Sequence, residues 1–189
     1  RRRAVRTEYR QRRPRRCPSA VADMDDDTRN EELGKPIEEV RSAMLSRAYA
    51  YWNAKRGDSP MPARADLDPV DIPRLLPNII LMDVTQPDDR LKVRLVGTLV
   101  VTMFGSDYTG LFLDEIDFGQ VREKILTEYN GAVTAARPLF SDHPFRKLGG
   151  YMFDIERVIL PLSEDGRRVT MLLAVLDFTQ RNDSAVLNL

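Results

Sequence analysis

The sequence predicts an α+β fold: a five-stranded antiparallel sheet with helices on one face, preceded by an N-terminal amphipathic helix. Three observations lead there. Two short apolar strands come first, several helical stretches come next, and three longer strands close the chain, so helices stand between strand groups rather than alternating with them. An Asp165-Gly166 pair inside SEDGR marks a tight hairpin between the last two strands. Ahead of all of these, apolar residues recur at three- and four-residue steps, the period of a helix with one apolar face.

Taken in order, residues 1–35 read as a tail, basic and then acidic. Residues 1–23 carry nine arginines against Glu8 and Asp23, leaving a net negative remainder in a chain of zero formal charge. No apolar period and two prolines predict disorder for this arm. Three readings of it compete: a nucleic-acid or membrane-surface arm, solvated filler, or sequence ahead of the true start, with Met24 standing before Asp25, Asp26 and Asp27. The last is preferred, because the chain opens on Arg1 rather than methionine.

Residues 36–56 predict the amphipathic helix. Pro36 suits a first turn, Glu38 and Glu39 suit its positive end, Lys55 and Arg56 its last turn, and Gly57 a stop. Ile37, Val40, Met44, Ala48 and Tyr51 form its stripe, which either packs on the domain or makes a dimer seam; these five are the candidate interface residues. In residues 57–77, Pro60, Pro62, Pro69, Pro73 and Pro77 predict a stiff connector with one short turn.

Residues 78–180 form the domain and 181–189 a short tail. NIILMDV is a first strand, QPDDR a turn, and LKVRLVG a second strand with Leu91, Val93 and Leu95 on one face and Lys92 and Arg94 on the other. TLVVTMF reads as a brief helix. Residues 117–136 read as a longer helix, with Val121, Ile125, Tyr129 and Val133 spaced by four. PLFSDHPF, YMFDIERVILPL and RVTMLLAVLDF are the closing strands.

Composition bounds the setting. At 189 residues, 42% apolar and 31% charged, the chain has room for one domain with flanks. No run approaches the roughly 18 apolar residues of a membrane-spanning helix, and no secretory pattern opens the chain. A lone cysteine, Cys17, excludes an internal disulfide framework. A cytoplasmic address is expected.

Several stretches, in this order, resemble a PAS-like family common in alphaproteobacteria: YWNAKRG, PARADLDPVDIPRLLPNIILMDV, VRLVGTLVV, GSDYTGLFLDE and IERVILPLSEDG. The resemblance spans roughly residues 51–178. It implies a cytoplasmic PAS fold used in bacterial signalling, brings no catalytic residues, and implies no enzymatic activity.

A PAS fold generally places ligands between its sheet and the intervening helices. Covalent flavin chemistry needs a cysteine in the helical part of that pocket, and Cys17 lies in the tail. Haem needs an axial ligand, most often histidine; the sole histidine, His143, falls on a strand rather than a helix. Haem and covalent flavin are therefore disfavoured, and no cofactor is predicted. The candidate ligand-binding residues are Arg94, Thr98, Tyr108, His143 and Arg157. By alternation Arg157 shares a face with Ile155 and Ile159, so it needs a partner: a carboxylate ligand or, preferably, Asp114 or Glu115. Glu156 points to the other face, where a pair with Arg94 is expected.

Asp66, Asp68 and Asp71 lack the spacing of a calcium loop, and neither a phosphate-binding glycine loop nor a nucleophile elbow occurs. The expected function is thus a non-catalytic signalling module working through protein partners, a homodimer among them, with a small-molecule ligand in the pocket as an open option. Nucleic-acid binding by the arginine arm is the alternative; the acidic body and the absence of a recognition-helix pattern weigh against it.

Overall fold

The structure is a computed structural model that describes residues 34–147 and 151–181. The basic arm, Cys17 and Met24 lie outside the described residues, so the structure bears on none of the three readings of the arm.

Helix α1 (Ala43–Arg56) comes first. It is followed by strands β1 (Ile79–Thr85) and β2 (Arg90–Val96), helices α2 (Thr98–Phe104) and α3 (Arg122–Ala135), and strands β3 (Leu139–Arg146), β4 (Met152–Leu162) and β5 (Met171–Gln180). The strands form one sheet in the order β2-β1-β5-β4-β3, with every neighbouring pair antiparallel. This is the predicted five-stranded layer. The hairpin between β4 and β5 turns at Gly166, with a φ of 71°. The Asp165 carboxylate holds the turn by accepting the backbone N–H groups of Arg167 and Arg168, each at 2.9 Å.

Successive residues of a strand point to opposite faces, and both faces are covered. Arg157 of β4 reaches α3 through Glu128. Its neighbour Glu156 reaches the start of α1 on the other side, accepting the Ser42 N–H at 2.9 Å. Along α1, Tyr49 packs edge-on against Phe140 of β3, and the Trp52 Nε1–H donates to the Pro161 carbonyl at 2.8 Å. The helix therefore cloaks a sheet face that the sequence leaves open.

The helix itself begins later than Pro36 suggests. Residues Ile37–Glu39 make one 3-10 turn, Val40 is extended, and α1 starts at Ala43. Ser42 is its N-cap: its Oγ accepts the Leu45 N–H at 3.3 Å and donates to Asp177 at 2.6 Å. Side-chain capping by Ser42 and the Glu156 carboxylate at the helix's positive end outweigh the proline signal. The later start rotates the stripe. Leu45, Ala48 and Trp52 are buried against the sheet, while Ile37 and Val40 lie off the helix, so of the predicted stripe only Ala48 belongs to the buried face.

The connector makes three 3-10 turns (Arg64–Asp66, Pro69–Asp71, Leu76–Asn78) where one was expected, and it buries Met61, Leu67 and Leu75 in the core. Strand β2 also departs from simple alternation. Leu81 pairs with Leu95 and Met82 with Val93, so Arg94 is an extra, bulged residue. Beyond the bulge the faces exchange: Leu95 is 44% exposed, and Val96 takes the inward place expected for it. At the next position, Gly97 donates its N–H to the Ile79 carbonyl at 2.8 Å. A Cβ there would lie 2.4 Å from the Pro77 carbonyl oxygen, so only glycine fits.

Candidate functional site

The site is built on the sheet face beneath α2 and α3. From β1 come Ile80 and Met82, from β2 Val93 and Val96, and from β5 Leu176. These apolar walls are set by strand alternation once the bulge at Arg94 is counted. Phe104 at the end of α2, with Tyr108 and Phe118 in the loops beyond it, makes an aromatic side wall. Phe104 and Tyr108 have ring centroids 6.2 Å apart, and Tyr108 and Phe118 6.5 Å apart.

The polar end is contributed by α3, β3 and β4. Helix α3 turns Ile125, Glu128, Tyr129 and Ala132 toward the sheet, one helical face. Val121 falls in the preceding 3-10 turn, so the predicted stripe is displaced by part of a turn. Arg157 is 2% exposed. It forms a close ion pair with Glu128, donates from Nε to Ser141 Oγ at 2.9 Å, and lies 5.0 Å from the centre of the Tyr129 ring. The partner expected among Asp114 and Glu115 is therefore Glu128. Both of those acids instead bind Arg90, at 2.7 Å and 3.2 Å. Burial pushes the Tyr129 phenol up, against the pull of Arg157.

His143 stands beside this pair, 7% exposed, and its Nδ1 is buried without a hydrogen-bond partner among the described residues. Burial draws its pKa down to about 4, with Arg157 and Lys124 adding to the effect. At neutral pH the ring is uncharged. Tyr108 is shifted up by burial and by the nearby Asp117. The enclosed space amounts to about 30 Å³. That is room for a water and far below the roughly 300 Å³ at which drug-sized ligand pockets begin. A second pocket of about 140 Å³, open past Asp117, shares Phe104, Tyr108, Phe118, Ile125 and His143 with it. Those shared side chains are the partition between the two.

Of the predicted ligand residues, the structure thus brings together Tyr108, His143 and Arg157. Arg94 points away from the cavity, on the same exposed face as Lys92, and pairs with Asp83 at 2.9 Å. Its expected partner Glu156 is occupied instead by Lys35 at 2.5 Å. Burial opposes charge on both, yet their contacts raise Lys35 and lower Glu156. Thr98 is exposed at the start of α2, outside the cavity. Glu128 was missed because a helical glutamate ordinarily faces water; its place three residues after Ile125 and four before Ala132, inside the apolar face, was the available signal.

Among the interface candidates, Ala48 is buried within the fold, and Tyr51 OH accepts the Asp68 N–H at 2.9 Å, which fastens the connector to α1. Ile37, Val40, Met44 and Tyr51 are half-buried against the core. Among the described residues, no group of histidine, cysteine, aspartate and glutamate is placed to hold a metal ion, and no helix is long and apolar enough to cross a membrane.

A sheet clasped between α1 and a helical layer that roofs a small cavity is the arrangement of a sensory PAS unit. A family model described as PAS domain matches residues 40–177, and the chain belongs to that family. No curated protein matches it. Solved structures similar to it include the LOV protein of Rhodobacter sphaeroides, at 14% identity and a TM-score of 0.45 over 63% of this chain and 71% of that one. A variant of RsLOV has 16% identity and a TM-score of 0.45, over 59% of this chain and 65% of that one, just under two thirds of its length. The PAS domain of a Colwellia psychrerythraea protein has 13% identity and a TM-score of 0.42, over 57% and 93%.

Proposed function

We propose that this chain is a non-catalytic, cytoplasmic signalling module that senses a small uncharged molecule in the cavity and passes the signal on through protein partners, a second copy of itself among them. The observation that carries this reading is the polar end of the cavity. Arg157 and Glu128 satisfy one another, so no charge there calls for an ionic ligand, whereas His143 is neutral and holds a ring nitrogen without a partner beside an aromatic wall. A small aromatic with one hydrogen-bonding group matches that chemistry better than a carboxylate. For such a molecule to fit, Tyr108 and Phe118, which line both the cavity and the outer pocket, must turn aside and join the two. The non-catalytic reading draws on the same pairing, which leaves neither charged group poised to move a proton.

The test is thermal unfolding with indole and with benzoate. A ligand that binds only the folded chain raises its midpoint. Indole should raise it, benzoate should not, and His143→Leu should abolish the indole effect. A shift with benzoate alone, or an indole shift untouched by His143→Leu, refutes the assignment.

A further inference from the structure

A groove of about 460 Å³ lies between α1 and the connector, on the opposite side of the sheet from the cavity, lined by Met44, Arg47, Tyr51, Ile72, Arg74 and Leu75. Its floor is apolar. Arg47 and Arg74 are exposed on its rim, and neither forms an ion pair or side-chain hydrogen bond among the described residues. The one acid lining it, Asp71, is already engaged by Lys55 at 3.0 Å and Tyr51 at 3.4 Å. The groove therefore presents an apolar floor flanked by two unpaired cations, which fits a segment combining carboxylates with apolar anchors.

The chain carries such a segment. Residues 23–33 hold Asp23, Asp25, Asp26, Asp27, Glu31 and Glu32 against the single cation Arg29, with Met24 and Leu33 near its ends. Its attachment point is close by. The Lys35 N–H donates to the Phe140 carbonyl at 2.7 Å, and the Phe140 ring packs on Tyr49 of α1. Tyr49 and the groove residues Met44, Arg47 and Tyr51 flank the buried Leu45, Ala48 and Trp52 from opposite sides of the helix. A helix with its side chains is about 10–12 Å across, and an extended run of this length reaches about 35 Å, so the segment can cross α1 with length to spare. We propose that residues 23–33 reach across α1 and dock in cis with their far end in this groove, the carboxylates of Asp23, Asp25, Asp26 and Asp27 on Arg47 and Arg74 and Met24 on Met44, Ile72 and Leu75. Docked there, the segment covers Met44 and Tyr51 and withholds that part of α1 from any partner. The inference concerns the groove alone and stands apart from the cavity reading.

The probe is a fluorescein-labelled peptide of residues 23–33, titrated by anisotropy onto full-length protein. A full-length variant with the six carboxylates replaced by their amides has an empty groove and should bind the peptide, less tightly as salt rises. The unmodified chain should bind it at least about tenfold more weakly, because a tethered segment competes at high effective concentration. Adding Arg47→Gln and Arg74→Gln to the amide variant should abolish binding while leaving its thermal midpoint and its response to indole unchanged. No binding by the amide variant, binding that survives loss of both arginines, or equal binding by the unmodified chain overturns the proposal. So does a dimer, seen by light scattering, that the amide variant loses, since the segment would then dock on a second copy.

Discussion

Glu128→Leu should be among the most damaging single substitutions in this fold. It removes the carboxylate from an ion pair whose side chains are 3% and 7% exposed, leaving Arg157 with Ser141 and the Tyr129 ring, neither of which carries charge. Breaking such a pair from one side costs about 3–5 kcal/mol, because a buried cation is left uncompensated. Lys124, 3.7 Å from Glu128 and half-exposed, keeps its hydrogen bond to the Asp142 carbonyl at 2.6 Å and adds little. Against a typical stability of about 5–15 kcal/mol, the variant is marginal. The double substitution Glu128→Leu with Arg157→Met removes both charges and fills the space with apolar side chains, and it should return to within about 1 kcal/mol of the parent. Urea unfolding followed by Trp52 fluorescence measures both. Trp52 is the only tryptophan, and it is buried against Pro161 on the other side of the sheet, so its signal reports global unfolding. A single-variant loss under about 1 kcal/mol, or a double variant as unstable as the sum of the singles, refutes the uncompensated-charge argument.

Two further outcomes rest on the same geometry. Gly97→Ala drives a methyl group to 2.4 Å from the Pro77 carbonyl oxygen and 2.5 Å from that of Leu76, so β2 or the connector must yield. A loss of about 1–3 kcal/mol is expected in thermal or urea unfolding, and an unchanged midpoint would disprove the close approach. His143 has a folded pKa of about 4 against an ordinary value of 6.5. The unfolded chain therefore binds the extra proton between those values, and stability falls as pH drops from about 6.5 to about 4, by at most about 3 kcal/mol. His143→Leu should flatten the profile between about pH 5.5 and 6.5, above the range where the carboxylates titrate; because the chain has no other histidine, a slope there that the substitution leaves unchanged would show the ring is not held neutral.

Much of this architecture was legible in the sequence because the strands are long, apolar and punctuated by turns. The alternation of Ile155, Arg157 and Ile159 correctly put an arginine on an apolar face, and Tyr108 and His143 do line the same cavity. What escaped depends on single residues that interrupt a period. The bulge at Arg94 shifts every later side chain of β2, and no local composition announces it. The start of α1 is decided by Ser42 together with Glu156, more than a hundred positions away in the chain. Glu128 and Arg157 likewise find each other only once α3 lies on β4. Local patterns carry elements; charges that meet across layers are visible only after folding.

The back-to-back placement of Glu156 and Arg157 has a consequence for how β4 finds its neighbours. Sliding the strand by a single residue would exchange the two. The guanidinium would then confront the positive end of α1, and the glutamate would enter an apolar chamber next to another carboxylate. The two adjacent residues thus work as the bit of a key, cut so that only one alignment of β4 between β3 and β5 turns the lock.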